Sequence, residues 1–370
     1  MMKELCTPPR AIRFALIGIG LVHTLSCILW VYLRSAQSFS HNCTYEHLLI
    51  DSFLVKPLCN SSSFLQLPDL SKIDWPDEIN APLPAGIKSI DEEFYPLPKP
   101  FDPQISSGQR RLFRKLLEVF SEAMFANGLG DRFMLHSGTL LGSFRHHDFI
   151  PWDDDVDVLV DEEIRDQMQK ILKQYEPDYI LTMGSERAKF YTEILNGTHG
   201  IRDVERSRHP FDHAWGWPFL DICFYRRNKT HVIELAPSYG RYYSWPIDIV
   251  FPLYYRPFGK KWYPAPRDTL GYLRLNFEPT RFCEHFGYSH ILERGRTSGK
   301  VLCSELGFRY AFVDHHECRQ SAQGNCTSNG MRLGAESLII RSDTEKFRTI
   351  HTICLPVDES HVISDPYAIP

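Results

Sequence analysis

The 370-residue chain lacks the motifs that mark several common chemistries. It has no Cys-x-x-Cys pair, which argues against a zinc ribbon. It has no P-loop and no Gly-x-Ser-x-Gly turn, so neither a P-loop nucleotide hydrolase nor an α/β-hydrolase is indicated. No repeat of solenoid length is present. Positive charge is not in excess: the net charge is −5, so no general nucleic-acid partner is expected. What remains is a globular composition, 43% hydrophobic and 24% charged, long enough for one large core with appendages.

The N-terminus carries the one long apolar run. Phe14 to Leu33 is broken only by His23, Thr24 and Ser26. At about 1.5 Å per residue it reaches across a hydrocarbon core of roughly 30 Å. Lys3, Arg10 and Arg13 precede it and Arg34 alone follows closely. The positive-inside rule then leaves 1–13 in the cytosol and the rest across the membrane. A cleaved signal peptide is the competing reading; the length of the run favours an uncleaved anchor at 14–33.

Two features agree with a lumenal body. Sequons at Asn42, Asn60, Asn196, Asn228 and Asn325 all lie beyond the run. So do eight of the ten cysteines, an even number that suggests disulfides of unassigned connectivity. Residues 34–105 are broken by prolines from Pro57 to Pro103 and read as an extended stem, part of which, including Trp75 and the Phe94-Tyr95 pair, is expected to lie against the body.

From Ser106 a helix is expected, with an apolar stripe at Leu112, Phe113, Leu116, Leu117, Phe120 and Met124, ended by Asn127-Gly128. Arg110, Arg111, Arg114 and Lys115 are expected on its solvated face. Short strands are expected at 132–136 and 155–160, with a short helix at 139–145 between them. A helix follows at 162–175, then strands at 179–183, 190–195, 217–225 and 230–235. Residues 254–267 read as an aromatic, basic loop, 268–277 as a helix, and 315–318 as a loop.

The decisive stretch is Gly138-Thr-Leu-Leu-Gly-Ser-Phe-Arg-His146 followed by Phe149-Ile-Pro-Trp-Asp-Asp-Asp-Val-Asp157. Clustered carboxylates repel unless a cation joins them. Strand alternation places Asp155 and Asp157 on one face and Val156 and Val158 on the other. Asp154 is then expected to face solvent and Asp153 to support the pair from behind. A glycine at a helix start, beside free N–H groups, suits a phosphate. Oxygen ligands suit Mg²⁺ or Mn²⁺, and a metal beside a phosphate cradle is the apparatus of phosphoryl displacement. A lone acid in the apolar run Trp217-Pro-Phe-Leu-Asp221 is the natural third ligand, and Asp248 is its rival.

These residues resemble the LicD family, within the nucleotidyltransferase fold of the DNA polymerase β type. That family includes bacterial phosphocholine transferases and the animal fukutin proteins. The resemblance covers roughly 106–280. It implies an α/β (α+β) fold, a mixed sheet with flanking helices, here preceded by a transmembrane helix and a stem. It implies a catalytic domain at 106–300, with 301–370 as a C-terminal extension of the same body. It implies transfer of a phospho-alcohol, phosphocholine or ribitol phosphate, from a CDP-activated donor to a glycan acceptor on glycoprotein or glycolipid, with CMP leaving. Asp155 and Asp157 match the metal-binding pair, and Asp221 the third acid, as a ligand or as a base. Gly138 and Thr139 are expected to hold donor phosphate, and Arg145 to neutralise the diphosphate through its fork. His146 is expected to be structural, and Trp215, Trp217, Tyr254 and Trp262 to form an aromatic box, pack the core or stack on sugars.

An anchored form with a stem implies a single-pass protein of the Golgi or endoplasmic reticulum with a lumenal body. Two other functions remain open on the sequence. Asp155-Val-Asp157 is also the D-x-D of metal-dependent glycosyltransferases that use sugar nucleotides. A non-catalytic scaffold is the third reading, against which the presence of all three acids argues.

Overall fold

The computed structural model describes residues 68–81, 83, 85–86, 96–195, 205–209, 213–238, 240–279, 281–317, 327–328, 331–341 and 346–356. It also pairs two short strands, Leu48–Ile50 and Val362–Ser364. The expected anchor at 14–33 and the tail before it lie outside the described residues. Among the described residues no helix is long and apolar enough to cross a membrane.

Helix α1 (Ser107–Ala126) forms where its sequence demands. Ser106 Oγ accepts from the Gln109 N–H while the Gln109 side chain accepts from the Ser106 N–H, so two orphan donors are satisfied. Gly128, at φ 72°, turns the chain away. The expected stripe is buried, each large side chain contributing roughly 2 kcal/mol. The basic face is not all solvated. Arg110 is buried, its guanidinium 5.0 Å from the centre of the Phe149 ring, and Arg114 pairs with Asp148 at 2.5 Å. Both wrap the segment that leads to the acidic run.

Behind α1 lies the central sheet. Its strands run in the order β1 (Phe133–Leu135), β2 (Val156–Asp161), β5 (Leu220–Arg227), β4 (Arg187–Thr192), β3 (Tyr179–Met183). Only β2 and β5 are parallel; the other pairs are antiparallel, so the sheet is mixed. β6 (His231–Glu234) and β7 (Ser244–Pro246) extend the far end of β5. Helix α2 (Ser137–His146) joins β1 to β2, and α3 (Arg165–Leu172) follows β2, flanked by 3₁₀ turns.

The aromatic, basic stretch after Leu253 is not a loop. It is a hairpin of β8 (Tyr254–Phe258) and β9 (Lys261–Ala265), turned at Gly259, whose φ of 58° suits a two-residue hairpin loop. Tyr254, Tyr255, Phe258, Trp262 and Tyr263 favour this pairing, because aromatic side chains suit a strand. α4 (Thr269–Asn276) follows, capped by Asp268.

The C-terminal segment is regular where little periodicity was expected. β12 (Phe312–Glu317), β13 (Met331–Arg341) and β14 (Phe347–Pro356) form an antiparallel sheet, so 315–317 is strand and not loop. This sheet is tied to the rest through Glu336. Its carboxylate meets Arg256 at 3.0 Å, His147 at 2.7 Å and His315 at 3.0 Å, all fully buried. Nor is the described part of 68–105 an extended spacer. Leu70, Phe101 and Ile105 are buried, and Trp75 packs 4.9 Å from His351. Prolines stopped regular structure there without stopping apolar side chains from finding the core.

Candidate active site

The site begins with strand register. On β2, Val156, Val158 and Val160 are fully buried in the core. Asp155 and Asp157 therefore emerge on the opposite face. On β5 the same alternation sets Leu220 and Ile222 inward and Asp221 outward. Because the two strands run parallel with Asp157 paired to Asp221, both carboxylates reach one place. They line a cavity of about 780 Å³ together with Asp155.

Asp155, Asp157 and Asp221 are each less than a tenth exposed. Burial first, then repulsion from Asp155 and Asp221, pushes the Asp157 carboxyl well above the ordinary range. Burial and the neighbouring Asp153 and Asp154 do the same to Asp155, although His290 opposes them. Asp221 Oδ1 is buried without a hydrogen-bond partner, while Oδ2 meets Arg187 at 3.3 Å and Lys189 at 3.6 Å. Asp248, the rival third acid, is exposed on the single helical turn Ile247–Val250 and does not line the cavity. Asp221 is the third acid brought to the site.

The turn ahead of α2 supports the strand of acids. Thr139 Oγ1 accepts the Asp157 N–H at 2.7 Å, which pins the helix start to β2. Gly138 leaves space for an acid. A β-carbon there would sit 2.4 Å from Asp153 Oδ2, so any side chain displaces Asp153. Ser137, in the left-handed region at φ 48°, is the residue of this turn that lines the cavity. Gly138 and Thr139 do not themselves line the cavity; on this geometry they position Asp153 and Asp157.

Two expectations are corrected. Arg145 does not face the cavity. It is buried, and its guanidinium donates to the carbonyls of Glu278, Pro279 and Phe282 at 2.6–2.8 Å. Its position in the last turn of α2 points it at the chain leading into the β10 strand (Phe282–His285), where five fixed donors satisfy a turn of backbone. Asp154 does not face solvent. It is buried and accepts from Ser289 Oγ, the His290 N–H and His290 Nδ1. Its own carbonyl accepts from Trp217 Nε1. These bonds, with His290 first among them, hold its carboxyl low despite burial.

His290 was not legible in the sequence. It bridges Asp154 at 2.9 Å and Asp155 at 3.1 Å. Burial disfavours its imidazolium, but Asp155 and Asp154 outweigh this and raise its pKa well above the ordinary value. It rides on a segment closed by the Cys283–Cys303 disulfide, between paired strands β10 and β11 (Gly299–Leu302). Among the described residues Cys223 is a free, buried cysteine.

Arg187 and Lys189 form the facing wall and were also missed. They stand two apart on β4, and Lys189 is paired across to Asp221. Alternating basic residues ahead of Phe190 were the available signal, had the strand been extended back by three residues. Of the four expected aromatic residues only Trp215 lines the cavity. Trp217 is core, packed on Phe113, Tyr254 is buried in the hairpin, and Trp262 donates to the Pro68 carbonyl. His146 is structural as expected, bonded through Nδ1 to the Ala311 carbonyl, and burial lowers its pKa to about 3.

A sheet that brings acids from two parallel strands together behind a short helix is the layout of a nucleotidyltransferase. Residues 130–268 match the family model described as LicD/FKTN/FKRP, nucleotidyltransferase domain. This stretch is a LicD-type domain. The LicD domain holds Asp155, Asp157, Asp221, Arg187 and Lys189, whereas His290 and Glu293 come from beyond its matched end. No curated protein matches the chain.

Proposed function

We propose that this protein is a metal-dependent phosphotransferase that moves a phospho-alcohol from a CDP-activated donor to a glycan hydroxyl. The observation that carries this reading is the convergence of Asp155, Asp157 and Asp221 on a cavity walled by Arg187 and Lys189. One side of the cavity suits a cation and the other an anion. A donor diphosphate chelating a divalent ion presents both.

The acids fit a hard cation. Asp221 Oδ1 is buried and unpartnered, and burial, reinforced by neighbouring carboxylates, discourages ionisation of Asp155 and Asp157. An ion of the Mg²⁺ or Mn²⁺ type would satisfy both. Asp155, Asp157 and Asp221 would hold it. When bound, such an ion neutralises charge on the transferring phosphoryl group. Arg187 orients the donor phosphates from the other wall. Asp221 Oδ1 completes the ligand set or takes the proton of the attacking hydroxyl. In the reaction, that hydroxyl oxygen bonds to the alcohol-bearing phosphorus, the phosphoanhydride breaks, and CMP leaves with the electron pair.

The apolar run at 14–33 and the five sequons support a lumenal body on a membrane anchor, in the Golgi or endoplasmic reticulum. Asn228 sits exposed in the turn between β5 and β6, accessible to glycosylation. The Cys283–Cys303 disulfide suits an oxidising compartment.

The test is nucleotide release. The protein with Mg²⁺ or Mn²⁺ is incubated with CDP-choline, CDP-ribitol, CDP-glycerol and UDP- or GDP-sugars. Release of CMP from a CDP-alcohol is expected. Turnover of sugar nucleotides alone would make it a glycosyltransferase, and no turnover or binding of any would make it a scaffold.

A further inference from the structure

Lys189 sits in a cage. Its ammonium stands 3.5 Å from the centre of the Phe219 ring and 5.2 Å from that of Trp215. Two carboxylates complete the surroundings, Asp221 at 3.6 Å and Glu293 at 3.4 Å. Glu293 is itself fixed, accepting from Trp215 Nε1 at 3.1 Å and from the Tyr288 hydroxyl at 2.9 Å. Its backbone holds φ 47°, a conformation uncommon outside glycine. Aromatic faces combined with carboxylates are the surroundings that capture an organic cation. In this cavity the chain supplies that cation from its own strand.

We propose that Lys189 sets the class of alcohol by filling this cage, so that a quaternary ammonium such as choline is excluded and an uncharged polyol is accepted. The proposal rests on the CDP-alcohol reading above. Arg187, two residues away on the same wall, adds a second positive charge against an incoming ammonium. A polyol meets no such repulsion, and its hydroxyls can accept from the Lys189 ammonium and donate to Glu293. Beside Trp215, the cavity is lined by the rings of Phe286 and Tyr288, which are 45% and 42% exposed, where water competes for any cation.

Calorimetric titration of the full-length protein with Mg²⁺ tests this. Wild type is expected to bind CDP-ribitol or CDP-glycerol at least about tenfold more tightly than CDP-choline. K189M should narrow or reverse that ratio, and K189R, which keeps a cation in the cage, should preserve it. Equal or tighter binding of CDP-choline by wild type overturns the proposal, as does an unchanged ratio in K189M. A second titration, with tetramethylammonium ion, needs no nucleotide. Binding to K189A and not to wild type is expected, with thermal melts reporting that the variants fold. Binding to wild type overturns the cage. If no CDP compound binds while tetramethylammonium binds K189A alone, the donor reading falls and the exclusion of organic cations stands.

Discussion

Asp157 and Asp221 are paired directly across two neighbouring parallel strands, both buried and both turned to the same cavity. Parallel pairing of two acids is unfavourable in an isolated sheet. Its natural consequence is a demand for positive charge, met at Asp221 by Arg187 and Lys189, whereas among the described residues Asp157 forms no ion pair and feels only the more distant His136 and His290.

That demand predicts the behaviour of D157N. Transfer should fall by at least about a hundredfold. The fold should survive, because Asn removes a repulsive buried charge without changing shape. Differential scanning fluorimetry should show wild type gaining melting temperature with Mg²⁺ or Mn²⁺ and D157N gaining little. An equal shift in both would remove Asp157 from the ligand set.

Thr139 predicts a purely local loss. T139V leaves the buried Asp157 N–H without its acceptor, at a cost of about 1–3 kcal/mol, whereas T139S keeps it. Urea denaturation should separate the two. G138A should fold yet weaken metal binding, because the added methyl displaces Asp153. If G138A binds metal like wild type, Asp153 plays no supporting part.

Arg145 predicts stability without substrate effect. R145M takes the donor away from three backbone carbonyls, one of them fully buried, and should cost about 3 kcal/mol. The conservative R145K retains part of the bonding, and its donor affinity should match wild type. A selective rise in donor KM for R145K would restore the diphosphate role.

The buried histidines predict acid lability. Burial lowers His147 to about 4 and His146 to about 3. The unfolded chain takes up these protons near the ordinary value of about 6.5, while the folded chain refuses them. Stability is therefore full above about 6.5 and is lost as pH falls through the folded values, by a few kcal/mol per histidine. Burial alone would raise Glu336, but Arg256, His315 and His147 override it and hold its carboxyl far below the usual range. Its contribution is present above the ordinary glutamate value and is lost at lower pH, in the same direction. Urea midpoints from pH 7.5 to 4.5 should fall in wild type and fall less steeply in H147Q.

The Cys283–Cys303 bridge predicts a link between redox state and the site. It closes a separation of 20 residues and should contribute about 3 kcal/mol. His290, Tyr288 and Glu293 all lie within the closed segment. C303S should therefore lose nucleotide affinity as well as melting temperature. Unchanged affinity in a destabilised C303S would uncouple the segment from binding.

Much of the site was readable before folding. Alternation along Asp155-Val-Asp-Val158 separates acids from core by chemistry alone, and the capped stripe of α1 is equally local. Such features need only the geometry of one strand or one helix. The readings that failed were those that depended on partners. Asp154 looks solvated until Ser289 and His290 arrive from more than a hundred residues away. Arg145 looks like a phosphate ligand until three carbonyls from 278–282 claim its fork. Asp248 and Asp221 sit in similar apolar surroundings in the chain, and the fold separates them: the register of β2 against β5 brings Asp221 to the cavity, while Asp248 is exposed on a helical turn. An amino-acid pattern specifies which face a side chain takes within its own element. Long-range pairing decides what that face meets, because hydrogen bonds and charges are satisfied by whichever groups the whole fold brings near. Asp155 and Asp157 belonged to the first kind of knowledge, and the caged Lys189 to the second.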